Sequence, residues 1–221
     1  MIINFSDYSA TQRYHLMTQT IIPRPIAWAL TLSGDELSKK DNGCEFNLAP
    51  FSYFTAVSSK PAILMISVGK KPTGEPKDTL VNILKNKKMV IHIASEQQSE
   101  LVTQTAATLP HGESELDLIN LNESVDNSLL STVPFEGFAL PRLEQCDIAY
   151  GCELYEIKEI GDIPQTLIFV EVKQVYINDK VTELDEKNRI KIYADMVNPL
   201  ARLGASEYAG ITKPFTKQRP E

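Results

Sequence analysis

Two short segments hold the residues whose types and spacing carry chemistry. Lys77-Asp78-Thr79 opens a stretch of helical pattern. A helix N-terminus presents free backbone N–H groups and a partial positive charge, a physical basis for holding phosphate. Thr79 adds a hydroxyl donor and Lys77 a charge, while Asp78 reads as the residue that caps the helix with its carboxylate turned away from an anion. A plain helix cap is the alternative. The second segment, Asn47-Leu48-Ala49-Pro50-Phe51-Ser52-Tyr53-Phe54, is apolar and aromatic for a loop. Pro50 stiffens it, and Asn47 and Ser52 can donate hydrogen bonds. Such a backbone can lie along a flat aromatic ligand with its N–H groups toward the ring edge. A core-packed connection is the competing account.

Charge supports the first segment. Residues 60–88 carry seven lysines against only Glu75 and Asp78, a net of +5 within a chain of net charge −7. A local positive strip on an acidic protein suits a small anion such as a phosphate ester, though a solvated loop and helix face would look the same. The overall acidity excludes the broad positive face of a nucleic-acid binder.

Other motifs fail. Gly69 and Gly74 are spaced as in a phosphate loop, but Glu75-Pro76 stand where lysine and a hydroxyl residue are needed. Gly204-Ala205-Ser206 begins a nucleophile elbow, whose closing glycine is replaced by Tyr208. His15, His92 and His111 lack metal-ligand spacing, and His92, on a strand pattern, reads as a packed, hydrogen-bonded ring. Glu113 and Glu115 could be paired carboxylates, but in a polar, glycine-containing stretch they read as a solvated turn. Cys44, Cys146 and Cys152 form no CxxC, so neither a disulfide framework nor a zinc cage is expected, and the setting is that of a reduced cytoplasmic protein.

The elements that must position these groups follow from periodicity. The length of 221 residues fits one domain, residues 1–221, with a long excursion at 109–144 and a tail at 199–221 as extensions. No apolar run reaches membrane-helix length, and the first residues lack a signal-peptide pattern. Ser9 caps a short helix to Met17. Strands are expected at Ile26–Leu32, with Glu45–Leu48 as hairpin partner, and at Ala62–Val68, buried on both faces. Asp78–Asn86 forms a helix with Leu80, Ile83 and Leu84 on one face. A strand follows at Met89–Ala94, then a helix boxed by Ser95 and Gln98 and running to about Ala107. Two long strands, Asp147–Ile160 and Thr166–Ile177, are joined by Gly161-Asp-Ile-Pro164. That link is too short for a parallel crossover and favours an antiparallel barrel. The tail reads as loop with a little helix. The fold class is mainly β with peripheral helices (α+β).

Together the segments resemble the flavin reductase-like, FMN-binding split-barrel family in its flavoredoxin branch. The pieces are Arg24-Pro-Ile-Ala-Trp28, Asn47 to Phe54, Ser58-Ser-Lys-Pro61, Lys77-Asp78-Thr79 with Asn82, Pro110-His-Gly-Glu-Ser-Glu115, and Arg202-Leu-Gly204 with Tyr208. They run in order across nearly the whole chain. The resemblance implies a six-stranded Greek-key split β-barrel working as a homodimer, with FMN bound non-covalently near the subunit interface. It implies that the Asn47 to Phe54 segment, with Asn47, Leu48, Ala49, Pro50, Ser52 and Phe54, lines the isoalloxazine, that Ser67, Lys77, Asp78 and Thr79 hold the phosphate side, and that Arg24, Trp28 and Asn82 also belong to the cofactor site. The implied chemistry is hydride transfer from NAD(P)H to the flavin, with electrons passed to an acceptor or redox partner protein. A non-enzymatic FMN electron carrier and a simple FMN-binding protein are the alternatives. Many relatives carry a histidine at the start of the second long strand, where this chain has Gln165-Thr166.

Overall fold

Residues 27 to 32, Ala-Trp-Ala-Leu-Thr-Leu, offer almost no polar surface, and the chain buries all six as strand β1 (Ala27–Leu32). The computed structural model describes residues 1–34, 46–110, 113–120, 130–218 and 220. Six further strands complete the main sheet: β2 (Phe46–Phe51), β3 (Phe54–Ser59), β4 (Ala62–Val68), β5 (Lys88–Ile93), β6 (Ile148–Ile160) and β7 (Gln165–Ile177). They lie in the order β2-β1-β5-β6-β7-β4-β3, each antiparallel to its neighbours. The run β4-β7-β6-β5 is a Greek key, read in reverse chain direction.

The outermost strands, β2 and β3, are separated in the chain only by Ser52 and Tyr53, yet they do not pair. The sheet must therefore curl until its two margins meet at that link, which makes it a split barrel and not a closed one. The expected strand count of six becomes seven. The Asn47–Phe54 segment, expected as a loop, is the end of one strand and the start of the next; its aromatic and apolar residues suit a half-buried pleat. The long hairpin of β6 and β7 is present as expected, turning at Gly161 with φ +92°. β4 is less buried than expected, with Ala62 exposed and Met65 and Ser67 half-buried.

Two hydrophobic layers divide on the main sheet. Ala27, Ala29, Phe51, Ile66, Val68, Met89, Ile91, Ile168 and Val170 fill the concave side. Trp28, Leu30, Leu48 and Val90 pack outward against Leu101, Leu116, Phe135, Leu140 and Leu143. β1 thus feeds alternate side chains into both layers, which is why it shows no polar face.

Helix α1 (Ala10–Thr20) starts on a reciprocal cap between Ser9 and Gln12. Helix α2 (Asp78–Asn86) ends at Lys87 in the left-handed region and packs on β1 and β2. Two expectations for α2 fail. Lys77, not Asp78, occupies the cap position, and Asp78 is the first helical residue with its carboxylate on Lys71 Nζ at 2.9 Å. The buried face is Thr79, Asn82 and Ile83, while Leu84 faces solvent. The stretch after Ser95 is a 3₁₀ turn and then helix α3 (Ser99–Gln104), shorter than expected. Helix α4 (Glu115–Asn120) lies within the long excursion. Cys44, Glu45, His111 and Gly112, invoked in the sequence reading, lie outside the described residues.

The tail is loop, as expected, but carries two short strands in place of helix. Ala201–Arg202 pairs with Arg24–Pro25 on one side and Tyr208–Ala209 on the other. Gly204 passes so close to α1 that a Cβ there would sit 2.5 Å from Gln19 Cγ. Arg24 fastens this arrangement. It is buried, and its guanidinium donates to Thr18 O, to Ile21 O at 2.9 Å and to Leu203 O at 2.7 Å, with a long contact to Ser52 Oγ. Lysine cannot reproduce that fork. Arg24→Lys is expected to lose about 2 kcal/mol in denaturant melts and to speed proteolysis of the tail after residue 199. Unchanged cleavage would show that the tail is held by its strand pairing alone.

Candidate functional site

β2 pairs with β1 on one side only, so alternate backbone groups face away from the sheet. Phe46 O accepts from Ser114 Oγ, and Leu48 N donates to Glu115 Oε2 at 2.9 Å. By the same alternation Pro50, which has no N–H, occupies the next outward position. The start of α4 therefore covers the outer edge of β2 as far as residue 48. The edge then opens into a cleft lined by Ala49, Pro50, Lys71, Lys77, Thr79 and the 105–109 segment, with Asn47 and Glu115 at its base.

The base of the cleft is polar and fully paired. Asn47 Nδ2 donates to Glu115 Oε1 at 2.9 Å and to Oε2 at 2.7 Å. Asn47 Oδ1 accepts from Thr79 Oγ1 at 3.1 Å and, more weakly, from Thr31 Oγ1 at 3.5 Å. Asn82 Nδ2 donates to Thr31 Oγ1 at 3.1 Å. Among the described residues no buried side-chain nitrogen or oxygen lacks a partner. Glu115 is only 4% exposed. Burial pushes its pKa above the ordinary carboxylate value against the opposing pull of the Leu48 and Asn47 hydrogen bonds, and the Asp78 charge pushes the same way.

The cationic side of the cleft divides unevenly. Lys71 is neutralised by Asp78 and also reaches Leu109 O at 3.4 Å. Lys77 lies 5.6 Å over the Phe51 ring and, among the described residues, makes no ion pair with a carboxylate. Burial lowers its pKa, and the neighbouring Lys71 charge lowers it further. Lys77 thus lines the cleft at the start of α2, as Thr79 does, with no carboxylate partner among the described residues.

The structure thus brings together Asn47, Leu48, Ala49, Pro50, Lys77, Asp78, Thr79 and Asn82 around one cleft or its immediate support. Five residues sit apart. Trp28 is in the outward-facing core with Nε1 on Thr105 Oγ1 at 2.8 Å, behind the cleft wall. Arg24 ties backbone carbonyls, as described. Ser52 and Phe54 lie at the link between β2 and β3, and Ser67 N donates to Tyr53 O at 2.9 Å beside that link. The sequence reading missed Glu115, taken for a solvated residue, because nothing in Glu113-Ser-Glu115 distinguishes the exposed carboxylate from the buried one. It also missed Lys71 as the partner of Asp78 and the wall from Thr105 to Leu109. The place of Glu115 at the first position of a short helix, with Ser114 just before it, was the available signal.

His92, in contrast, is the packed ring that was expected. Its Nδ1 lies 3.0 Å from Trp28 O, and Leu143 N donates to Nε2 at 2.9 Å. Among the described residues no His, Cys, Asp and Glu cluster could hold a metal ion, and no helix is long and apolar enough to cross a membrane.

Known proteins share this architecture over its full length. A protein of Bacillus subtilis (strain 168) designated "Uncharacterized protein YwrF" is 30% identical, the alignment covering 99% of this chain and 98% of the other. The crystal structure of nitrilotriacetate monooxygenase component B from Bacillus cereus superposes with a TM-score of 0.79 at 29% identity, covering 98% of both chains. The 2-nitrobenzoate 2-nitroreductase NbaA of Pseudomonas fluorescens gives a TM-score of 0.79 at 24% identity, covering 100% of this chain and 96% of that one; it shows the shared fold. Residues 18–193, which hold every strand of the main sheet and the whole cleft, match the flavin reductase like domain, and the chain belongs to that family.

Proposed function

We propose that the chain is an oxidoreductase that binds FMN non-covalently in the cleft between β2 and the start of α2, accepts hydride from NAD(P)H and passes the electrons to an acceptor. The observation that carries this is Lys77, a half-buried cation with no carboxylate partner among the described residues, which lines one cleft at a helix N-terminus with Thr79 and the stiff apolar backbone of Ala49-Pro50. Membership of the family supports a flavin. The donor set of the cleft fits its phosphate: an ammonium and free helix N–H groups at one pole, an apolar wall adjoining. FMN supplies the two-electron chemistry when bound. The chain's part is to hold the phosphate with Lys77 and Thr79, to fix the ring plane along Ala49-Pro50, and to keep the polar base of the cleft closed to water through Asn47 and Glu115.

A second reading, an FMN electron carrier without nicotinamide use, is favoured by Gln165. It is exposed at the start of β7, packs against Gly69, and is neutral at every ordinary pH. An absorbance spectrum after FMN loading and desalting, repeated with NADH and NADPH without oxygen, separates the two. Retention of the band near roughly 450 nm with bleaching by either nucleotide is the expected result. Retention without bleaching selects the carrier, and no retained flavin overturns both.

Lys77→Met gives an independent check. FMN affinity is expected to fall about tenfold or more, because a charge-assisted contact to phosphate is lost. Riboflavin, which lacks the phosphate, should bind both proteins alike in a fluorescence titration. Thermal stability should hold or rise, since burial already disfavours the ammonium.

The same reading includes a homodimer. Tyr155, Ile160, Ile163 and Val175 leave large apolar surfaces exposed on and beside the β6–β7 hairpin, the kind of area that a second copy would cover.

A further inference from the structure

Glu115, Asn47 and Thr79 form a continuous buried chain from α4 through β2 to the start of α2. The ionised carboxylate only accepts, and here its two oxygens take both contacts from Asn47 Nδ2 and one from Leu48 N. That fixes the Asn47 amide with Oδ1 toward Thr79. The single hydroxyl hydrogen of Thr79 is thereby spent inward, and its lone pairs are what the cleft sees. Lone pairs repel a phosphate oxygen.

A proton on Glu115 reverses each step. One carboxyl oxygen must then donate, and Asn47 Oδ1 is the side-chain acceptor that a half-turn of the amide brings to it. The other oxygen still takes the Leu48 N–H. Asn47 Nδ2 now points at Thr79 Oγ1 and donates to it, giving up the long 3.5 Å contact with Thr31 and one of the two contacts with Glu115. The Thr79 hydrogen is released toward the cleft. Both arrangements leave Glu115, Asn47 and Thr79 satisfied, as a buried network requires.

We propose that Glu115, Asn47 and Thr79 are a two-state hydrogen-bond relay in which the proton on Glu115 decides whether Thr79 accepts or donates in the cleft, and so sets its affinity for a phosphate-bearing ligand. This rests on the reading that the flavin phosphate lies at Thr79. Glu115 is a positioning residue, acting through Asn47. The raised pKa of Glu115 brings the switch toward mildly acidic conditions. The charged groups that face it are Asp78, which favours the proton, and Lys71 and Lys77 across the cleft, which oppose it; on its own segment Glu113 and Asp117 point to solvent.

Glu115→Gln imposes the second state at every pH, because its Nε2 must donate to Asn47 Oδ1. The first readout needs no ligand. In the wild-type protein the Asn47 side-chain amide resonances should move with the same pH midpoint as the Glu115 carboxyl carbon, and that movement should vanish in Glu115→Gln. A Glu115 that titrates while the Asn47 amide stays still overturns the relay, as does a Glu115 that never titrates while the fold persists.

The second readout is the ratio of FMN dissociation constants, wild type over Glu115→Gln, in which the titration of the phosphate itself cancels. The variant should bind roughly tenfold tighter where wild-type Glu115 is ionised, with the two converging at acid pH. The ratio for riboflavin should stay near unity. A ratio for FMN that does not change with pH overturns the proposal. If the wild type takes up no flavin while Asn47 still follows Glu115, the FMN reading fails and the relay stands. Inorganic phosphate, followed by the Thr79 backbone amide, then reads the affinity, and a pH-independent response would overturn the claim about the ligand.

Discussion

Acidification from about pH 6.5 to about pH 4 is expected to remove about 3 kcal/mol of folding stability through one residue, His92. Leu143 N donates to Nε2, so that nitrogen must be bare, and Nδ1 carries the proton to Trp28 O. The ring is fully buried between β1 and the end of the excursion. A second proton would have to point at the Leu143 N–H. Burial depresses the pKa to about 4, the Trp28 hydrogen bond opposing this and the Arg142 charge reinforcing it. Above the unfolded-state pKa of about 6.5 the ring is neutral in both states and contributes nothing to pH dependence. Between the two values the unfolded chain takes a proton that the native one refuses, so stability falls as pH falls. Below about pH 4 the loss is complete. Urea titrations of the wild type and of His92→Gln across this window isolate the effect as a difference of slopes. Parallel curves would mean that the ring is protonated in the fold.

Glu115→Ala is the second large effect. The substitution removes the acceptor of Asn47 Nδ2 and of Leu48 N–H, two buried donors. Leaving them unpaired should lower stability by about 2–4 kcal/mol in equilibrium unfolding. Glu115→Gln, which keeps an acceptor for Leu48 and removes a buried charge, should lose far less or nothing. Equal losses for the two variants would show that the contribution rests on the negative charge, which both remove, and not on the side-chain volume or the acceptor for Leu48, which glutamine keeps. The contrast also separates the stability role from the affinity role, since the first depends on having an acceptor and the second on having a charge.

Much of the frame is legible in the amino-acid order. β1, β4, β5 and the β6–β7 hairpin follow from continuous apolar runs, and the Ser9 and Gln12 cap from local spacing. The antiparallel arrangement follows from a link too short to cross over. What was not legible is tertiary. Asp78 has the composition of a helix cap, but Lys71, seven residues earlier, draws its carboxylate away and leaves the cap position to Lys77. Leu84 continues an apolar pattern, but α2 rests on a face made polar by Thr79 and Asn82, so it turns to solvent. The pairing of the tail with Arg24–Pro25 joins residues almost a whole chain apart, and a two-residue strand has no periodicity to read. In the site, the proposed anion pole was visible as charge and helix start. The carboxylate at its base was not, because burial of Glu115 depends on which strand edge α4 happens to cover.

That cover has a consequence for the molecule among other molecules. A strand at the margin of a sheet is a template on which a foreign chain can grow. Along β2 the template is cancelled group by group: Ser114 takes the Phe46 carbonyl, Glu115 takes the Leu48 N–H, and Pro50 has none to offer. At the opposite margin the register of β3 against β4 slips between Ala56 and Ser58, a bulge that spoils a straight ladder. The residues that shape the cleft therefore also keep the sheet from extending into a polymer.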